Sequence, residues 1–126
     1  MKMTQDFGAA SHLITGYEAG MVRVNETIHR TSLIVTPEHV DPQWAPEAFE
    51  DLDLACFQAL LDAPPEIVLL GTGARLRFPP REIILGFRSR GIGFEVMDTG
   101  AACRTYNILM AEGRPVAAAL LMIERR

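Results

Sequence analysis

The chain is poor in the residues from which metal sites and disulfide frameworks are made. Its 126 residues include two cysteines, Cys56 and Cys103, without C-x-x-C spacing. Its three histidines, His12, His29 and His39, have no partner at metal-ligand spacing. The cysteines read as reduced, buried small hydrophobes in a reducing compartment, and no metal or cofactor is expected. No apolar run approaches the roughly 20 residues needed to cross a bilayer. Positive charge is also in short supply: 12 basic residues face 16 acidic ones, for a formal charge of −4. A nucleic-acid or anionic-membrane partner usually calls for a basic face, so neither is expected. The opening MKMTQDFGAAS has neither the apolar core of a signal peptide nor the Arg-rich pattern of a transit peptide, which points to a cytoplasmic location in a bacterial-type cell.

Apolar residues make up 48% of the chain and charged residues 22%, as in a soluble globule with one core. A flexible start over residues 1–10 and a single domain over 11–126 are expected. Residues 21–24 alternate apolar and polar. Asn25-Glu26 reads as a turn, and the β-branched stretch 27–35 returns as a second strand. An earlier short strand is expected around residues 12–14. Three prolines at 37, 42 and 46 make 36–46 an extended connection, pinned to the body by the single tryptophan, Trp44.

Residues 47–62 read as a helix, with Phe49, Leu52, Cys56 and Leu60 on one stripe and Pro64-Pro65 after it. Beyond it the rhythm is regular. Strands are expected at 66–70, 92–97 and 115–122, and helices at 81–90 and 100–112, with Gly91 and Gly113 suited to left-handed helix ends. Strand, helix, strand, helix, strand implies a parallel core with right-handed crossovers. The expected fold is a three-layer α/β single domain with a mixed, largely parallel central sheet and an N-terminal β-hairpin.

Parallel neighbours end on one edge, so the loop Gly71-Thr72-Gly73 and the turn Asp98-Thr99-Gly100 should open on the same rim, where open α/β sheets bind ligands. The glycines admit close backbone approach. Asp98 or Thr99 suits a helix N-cap. Cys103 and Asn107 share a helix face, with Arg104 and Thr105 beside it. The candidate cleft is therefore Gly71, Thr72, Gly73, Asp98, Thr99, Arg104, Thr105 and Asn107. Every member also has a structural reading: turn glycines, a capped helix, an arginine paired with Glu112 or Glu95, an asparagine bonded to a loop carbonyl. The loop is no dinucleotide fingerprint, because Leu76 stands where a third glycine would be, and no Gly-Lys-Ser/Thr run follows. No histidine has a sequence reason to reach Cys103, and Asp98 would oppose its thiolate, so catalytic residues are unassigned.

GTG after an apolar strand, Phe78-Pro79 before a helix, and MDTGAACRTYNILMAEGR before a final apolar strand resemble a family of small α/β domains of unknown function. That family includes the mitochondrial complex I (NADH dehydrogenase) assembly factor 3 proteins. The resemblance runs from about residue 11 to 123 and is most specific over 95–114. It implies a three-layer fold with a mixed sheet, no established enzymatic activity, and action through binding other proteins. Its motif positions fall on Gly71, Thr72, Gly73, Asp98, Thr99, Ala102, Arg104, Thr105, Asn107, Glu112 and Arg114. The expected function is thus non-enzymatic protein binding, as an assembly or biogenesis factor for a respiratory or other membrane-associated complex, with a homodimer among the assemblies open to it. The alternative is a small-ligand or anion-binding protein, or an enzyme, using the cleft at the carboxyl edge. The two are separated by a partner pull-down and by a metabolite thermal-shift screen.

Overall fold

The computed structural model describes residues 11–125. The expectation of a flexible start over 1–10 lies outside the described residues. Among the described residues there are two sheets. The first is a three-stranded antiparallel meander of β1 (Ile14–Glu18), β2 (Met21–Val24) and β3 (Thr27–His29). The second has five strands in the order β5-β4-β8-β6-β7, built from β4 (Leu33–Val35), β5 (Val40–Asp41), β6 (Ile67–Gly71), β7 (Gly93–Met97) and β8 (Val116–Leu120). Strand β6 pairs in parallel with both β7 and β8, while β4 runs antiparallel to β8 and β5. The sheet is mixed, as expected. The helices are α1 (Gln58–Asp62), α2 (Arg81–Arg88) and α3 (Thr99–Ala111).

The period-2 alternation of the central strands divides the core in two. Val68, Leu70, Ala117 and Ala119 face one side, with Ile83 and Phe87 of α2, Phe57 and Trp44. Four aromatic rings meet there: Phe57 lies edge-on to Trp44, Phe87 and Phe94, at centroid distances of 5.3, 5.4 and 6.0 Å, and Phe87 stacks on Phe94 at 4.9 Å. Leu69, Ala118 and Leu120 face the other side, against Ala102, Cys103, Tyr106 and Met110 of α3 and Ile14, Val22 and Val24 of the meander. The alanines of β8 let both layers approach its backbone closely.

Three expectations need correction. The stretch 27–35 is not one strand: it breaks at residues 30–32 and crosses from the meander into the five-stranded sheet. Residues 47–62 are not one helix either. They form 3₁₀ turns at Phe49–Asp51 and Leu54–Phe57 before the short α1, with Leu52 extended between them. The cause is local competition for backbone amides: the Asp51 carboxylate accepts from Ala48 N at 3.2 Å, and Asp53 accepts from Cys56 N at 2.9 Å. The connection 36–46 is not extended throughout: it bends back at 37–38, with Thr36 N donating to the His39 carbonyl at 2.8 Å, so that β5 pairs with β4, and it turns again at 42–43. Trp44 is buried, and its indole N–H donates to the Cys56 carbonyl at 2.8 Å. Gly91 and Gly113 both take φ of +77° just past α2 and α3.

Candidate functional site

The ends of β6, β7 and β8 come together, and with them the two motif threonines. Gly73 N donates to Thr99 Oγ1 at 2.8 Å, and Thr99 N donates back to the Gly73 carbonyl at 2.9 Å. The Thr99 hydroxyl in turn donates to the Leu121 carbonyl at 2.7 Å. Thr72 Oγ1 lies 2.7 Å from the Arg75 carbonyl and 3.2 Å from that of Met97, and accepts from Arg77 N at 3.2 Å. Both threonines are buried, at 1% and 0% exposure. Each hydroxyl ties one strand end to its neighbours.

The glycines answer to the same crowding. A Cβ on Gly71 would stand 3.0 Å from the Thr99 backbone. Gly73 has φ of +99°, and a Cβ there would press on the Glu124 carboxylate. Glu124 folds the chain end back over the loop and accepts from Ala74 N at 2.6 Å. Burial alone would raise its pKa. Hydrogen bonds from the Ala74 amide and its own amide, with Arg77 and Arg75 nearby, outweigh that and lower it.

Asp98 is the N-cap of α3 and accepts from Ala101 N at 2.8 Å; Thr99 is the first helical residue and serves the rim instead. The remaining site candidates lie elsewhere. Asn107 grips β1 with both ends of its amide: Ile14 N donates to Oδ1 at 3.0 Å, and Nδ2 donates to the Ile14 carbonyl at 2.7 Å. Arg104 donates to the Tyr17 hydroxyl. A Cβ on Gly100 would come within 2.9 Å of the Tyr17 ring. Tyr106 donates to the His12 carbonyl at 2.6 Å. Thr105 is half-buried beside this seam. Seven of the eight candidates thus divide: Gly71, Thr72, Gly73, Asp98 and Thr99 form the rim, while Arg104 and Asn107 dock the meander onto α3. Among the described residues neither Glu112 nor Glu95, the expected partners, forms an ion pair with Arg104; Glu95 faces Arg88 at 3.9 Å.

The nucleophile question has a physical answer. Cys103 is buried, and its thiol is pushed up to about 12, chiefly by burial, with Asp98 adding to the rise and Arg104 opposing it. Cys56 is raised as well, first by burial. Neither favours a thiolate near neutral pH. Among the described residues, no group of three or more His, Cys, Asp or Glu side chains is placed to hold a metal ion, and no helix is long and apolar enough to cross a membrane.

Composition hides one feature that the structure brings out. Residues 75–90 carry five of the chain's 12 basic residues, Arg75, Arg77, Arg81, Arg88 and Arg90, against one glutamate. Exposed apolar side chains are interleaved with them: Leu76, Phe78 at 69% exposure and Leu85 at 53%. Arg81, Leu85 and Arg88, spaced i, i+4, i+7, share the outer face of α2. The acidic balance of the whole chain masked this local basic and apolar surface.

Residues 14–121 match a family described as protein of unknown function (DUF498/DUF598). An uncharacterized protein of Rhodobacter capsulatus is 36% identical over 108 residues, 86% of this chain and 82% of that protein. The human NADH dehydrogenase [ubiquinone] 1 alpha subcomplex assembly factor 3 is 39% identical over 85 residues, 66% of this chain and 46% of that protein. The chain thus spans less than half the length of that relative. A crystal structure of a Bordetella parapertussis protein superposes with a TM-score of 0.83 at 39% identity, covering 90% of this chain and 97% of that one. The chain belongs to the DUF498/DUF598 family.

Proposed function

We propose that this member of the family is a protein-binding domain that assists assembly of a respiratory or other membrane-associated complex, working from the cytoplasmic side. The observation that carries the reading is the 39% identity to the human assembly factor, over a stretch that makes up 66% of this chain. The rim is consistent with it, because both motif threonines are buried and bonded to main-chain atoms, leaving neither hydroxyl for chemistry on a substrate.

The binding surface in this reading is the arginine-rich stretch with Leu76, Phe78 and Leu85. Apolar side chains interleaved with arginines, of which Arg77 and Arg88 are paired with Glu50 and Glu95, suit a partner segment that is apolar at its centre and acidic around it. A tagged chain should capture a specific partner from its own cell, and a variant carrying Phe78→Glu and Leu85→Glu should lose it while staying folded by circular dichroism. Capture of nothing above background, or unchanged capture by the variant, overturns the assignment. A symmetric homodimer would use the same surface, and sedimentation of both proteins reads it directly.

A further inference from the structure

The rim is closed by the end of the chain itself. Strand β8 ends at Leu120, and Leu121 N still donates to the Gly71 carbonyl at 3.0 Å. From there residues 122–125 run on as a strap. Gly20 N donates to the Ile123 carbonyl at 2.9 Å, and Ala74 N donates to Glu124 Oε1 at 2.6 Å. The strap is shallowly embedded. Every residue of β8 is buried, whereas Met122 and Ile123 are half-buried and Glu124 and Arg125 are exposed.

Beneath the strap the loop is shaped for a carboxylate. Gly73, at φ of +99°, leaves open the space where the carboxylate lies; a Cβ there would overlap Glu124 Oε1 and stand 3.0 Å from Oε2. The next amide, that of Ala74, is the donor. Arg75 and Arg77 stand near enough to favour the ionised form of Glu124. Ala74, Arg75, Glu124 and Arg125 line a cleft of about 330 Å³. Arg77 pairs with Glu50, while neither Arg75 nor Arg125 belongs to an ion pair among the described residues. Ala74 is exposed even with the strap in place, so an outside carboxylate reaches its amide once Glu124 swings away.

Two physical effects decide when that exchange happens. A charged contact at an exposed position is weak, so the strap opens without unfolding the sheet. A tethered carboxylate acts at an effective concentration on the order of millimolar, so a free one competes poorly with it. A displacing carboxylate therefore needs further contacts, and the loop runs straight on into Arg75, Leu76 and Phe78, the surface assigned above to a partner that is acidic around an apolar centre. We propose that Glu124 is an autoinhibitory latch: it fills a carboxylate seat at Gly73 and Ala74 that an acidic side chain of the bound partner takes over when the strap lifts. The occupant rests on the protein-binding reading above; the seat does not.

The seat is tested on the purified full chain, with sodium acetate as the probe and sodium chloride at matched ionic strength as the control. The readout is the Ala74 amide resonance in ¹H–¹⁵N spectra. In Glu124→Ala, acetate should shift that resonance saturably, with an affinity about tenfold or more above that for the wild type, where the latch competes. Chloride should not reproduce the shift, and adding Arg75→Ala should weaken it. Should Glu124→Ala fail to fold, Glu124→Gln, which keeps the length of the side chain, takes its place with the same expectations. An Ala74 amide that answers acetate no better in the variant than in the wild type, or chloride as well as acetate, overturns the seat. The occupant is tested by capture at limiting concentration, where Glu124→Ala should retain more of the partner than the wild type retains. Equal capture overturns the latch even if the seat binds acetate. Capture of nothing by either form overturns the protein-binding reading and the occupant with it, while the acetate titration still judges the seat.

Discussion

The rim at the ends of β6, β7 and β8 and the cleft beside the start of β4 lie along one edge of the same sheet, yet their polar groups are used in opposite ways. At the rim, glycines and threonines crowd together, and each threonine hydroxyl is spent on main-chain atoms of a neighbouring strand end or loop. At the cleft, the buried Ser32 hydroxyl has no hydrogen-bond partner among the described residues. The lesson is about motifs. A conspicuous run such as GTG or DTG can be conspicuous because the fold needs it.

The comparison can be broken or sharpened by mutation. Gly71→Val should be the most damaging change, at about 3 kcal/mol or more, because the new side chain meets the Thr99 backbone rather than a movable side chain. Urea unfolding measures it. Asn107→Ala strips the Ile14 N–H and carbonyl of their partners and should cost about 1–2 kcal/mol. Amide exchange should then accelerate over β1 and leave β6 protected. Asp98→Ala removes only a cap and should cost about 1 kcal/mol.

Glu124 gives the smallest effect and a pH signature. Its folded pKa is lowered, so its contribution is present above the ordinary glutamate value and is lost as pH falls through the folded pKa. Stability of the wild type should therefore fall in acid below the usual glutamate range, and Glu124→Gln should remove that part of the slope. An unchanged slope would mean the carboxylate does not clamp the Ala74 amide in solution.

The back half of the fold was legible because its signals are local. The continuous apolar runs of β6 and β8 and the helical stripes between them are set by neighbours in sequence, as are the glycines past α2 and α3. The front half misled where local carboxylates compete for the backbone: Asp51 and Asp53 break a stripe that reads as one helix. The β-branched run 27–35 reads as one strand because nothing in its pattern shows that it changes sheets at Ser32. The meeting of Thr72 and Thr99 at one rim followed from parallel topology alone. Their partners did not. Leu121 contributes a carbonyl, which any residue has, and Glu124 and Tyr17 lie 50 and 87 residues from the groups they bond. The arginine clustering over 75–90 is a local feature that the net charge of −4 averages away.

The most direct test sets the two regions side by side: the unfolding free energies of Thr99→Val and Ser32→Ala in the absence of any ligand. Thr99→Val leaves the Gly73 amide and the Leu121 carbonyl buried and unpaired, and should lose about 2–4 kcal/mol. Ser32→Ala should lose nothing. Thr99→Val within about 0.5 kcal/mol of wild type, a margin typical of surface changes, or Ser32→Ala as damaging as Thr99→Val, would contradict the division between a spent rim and an unspent cleft.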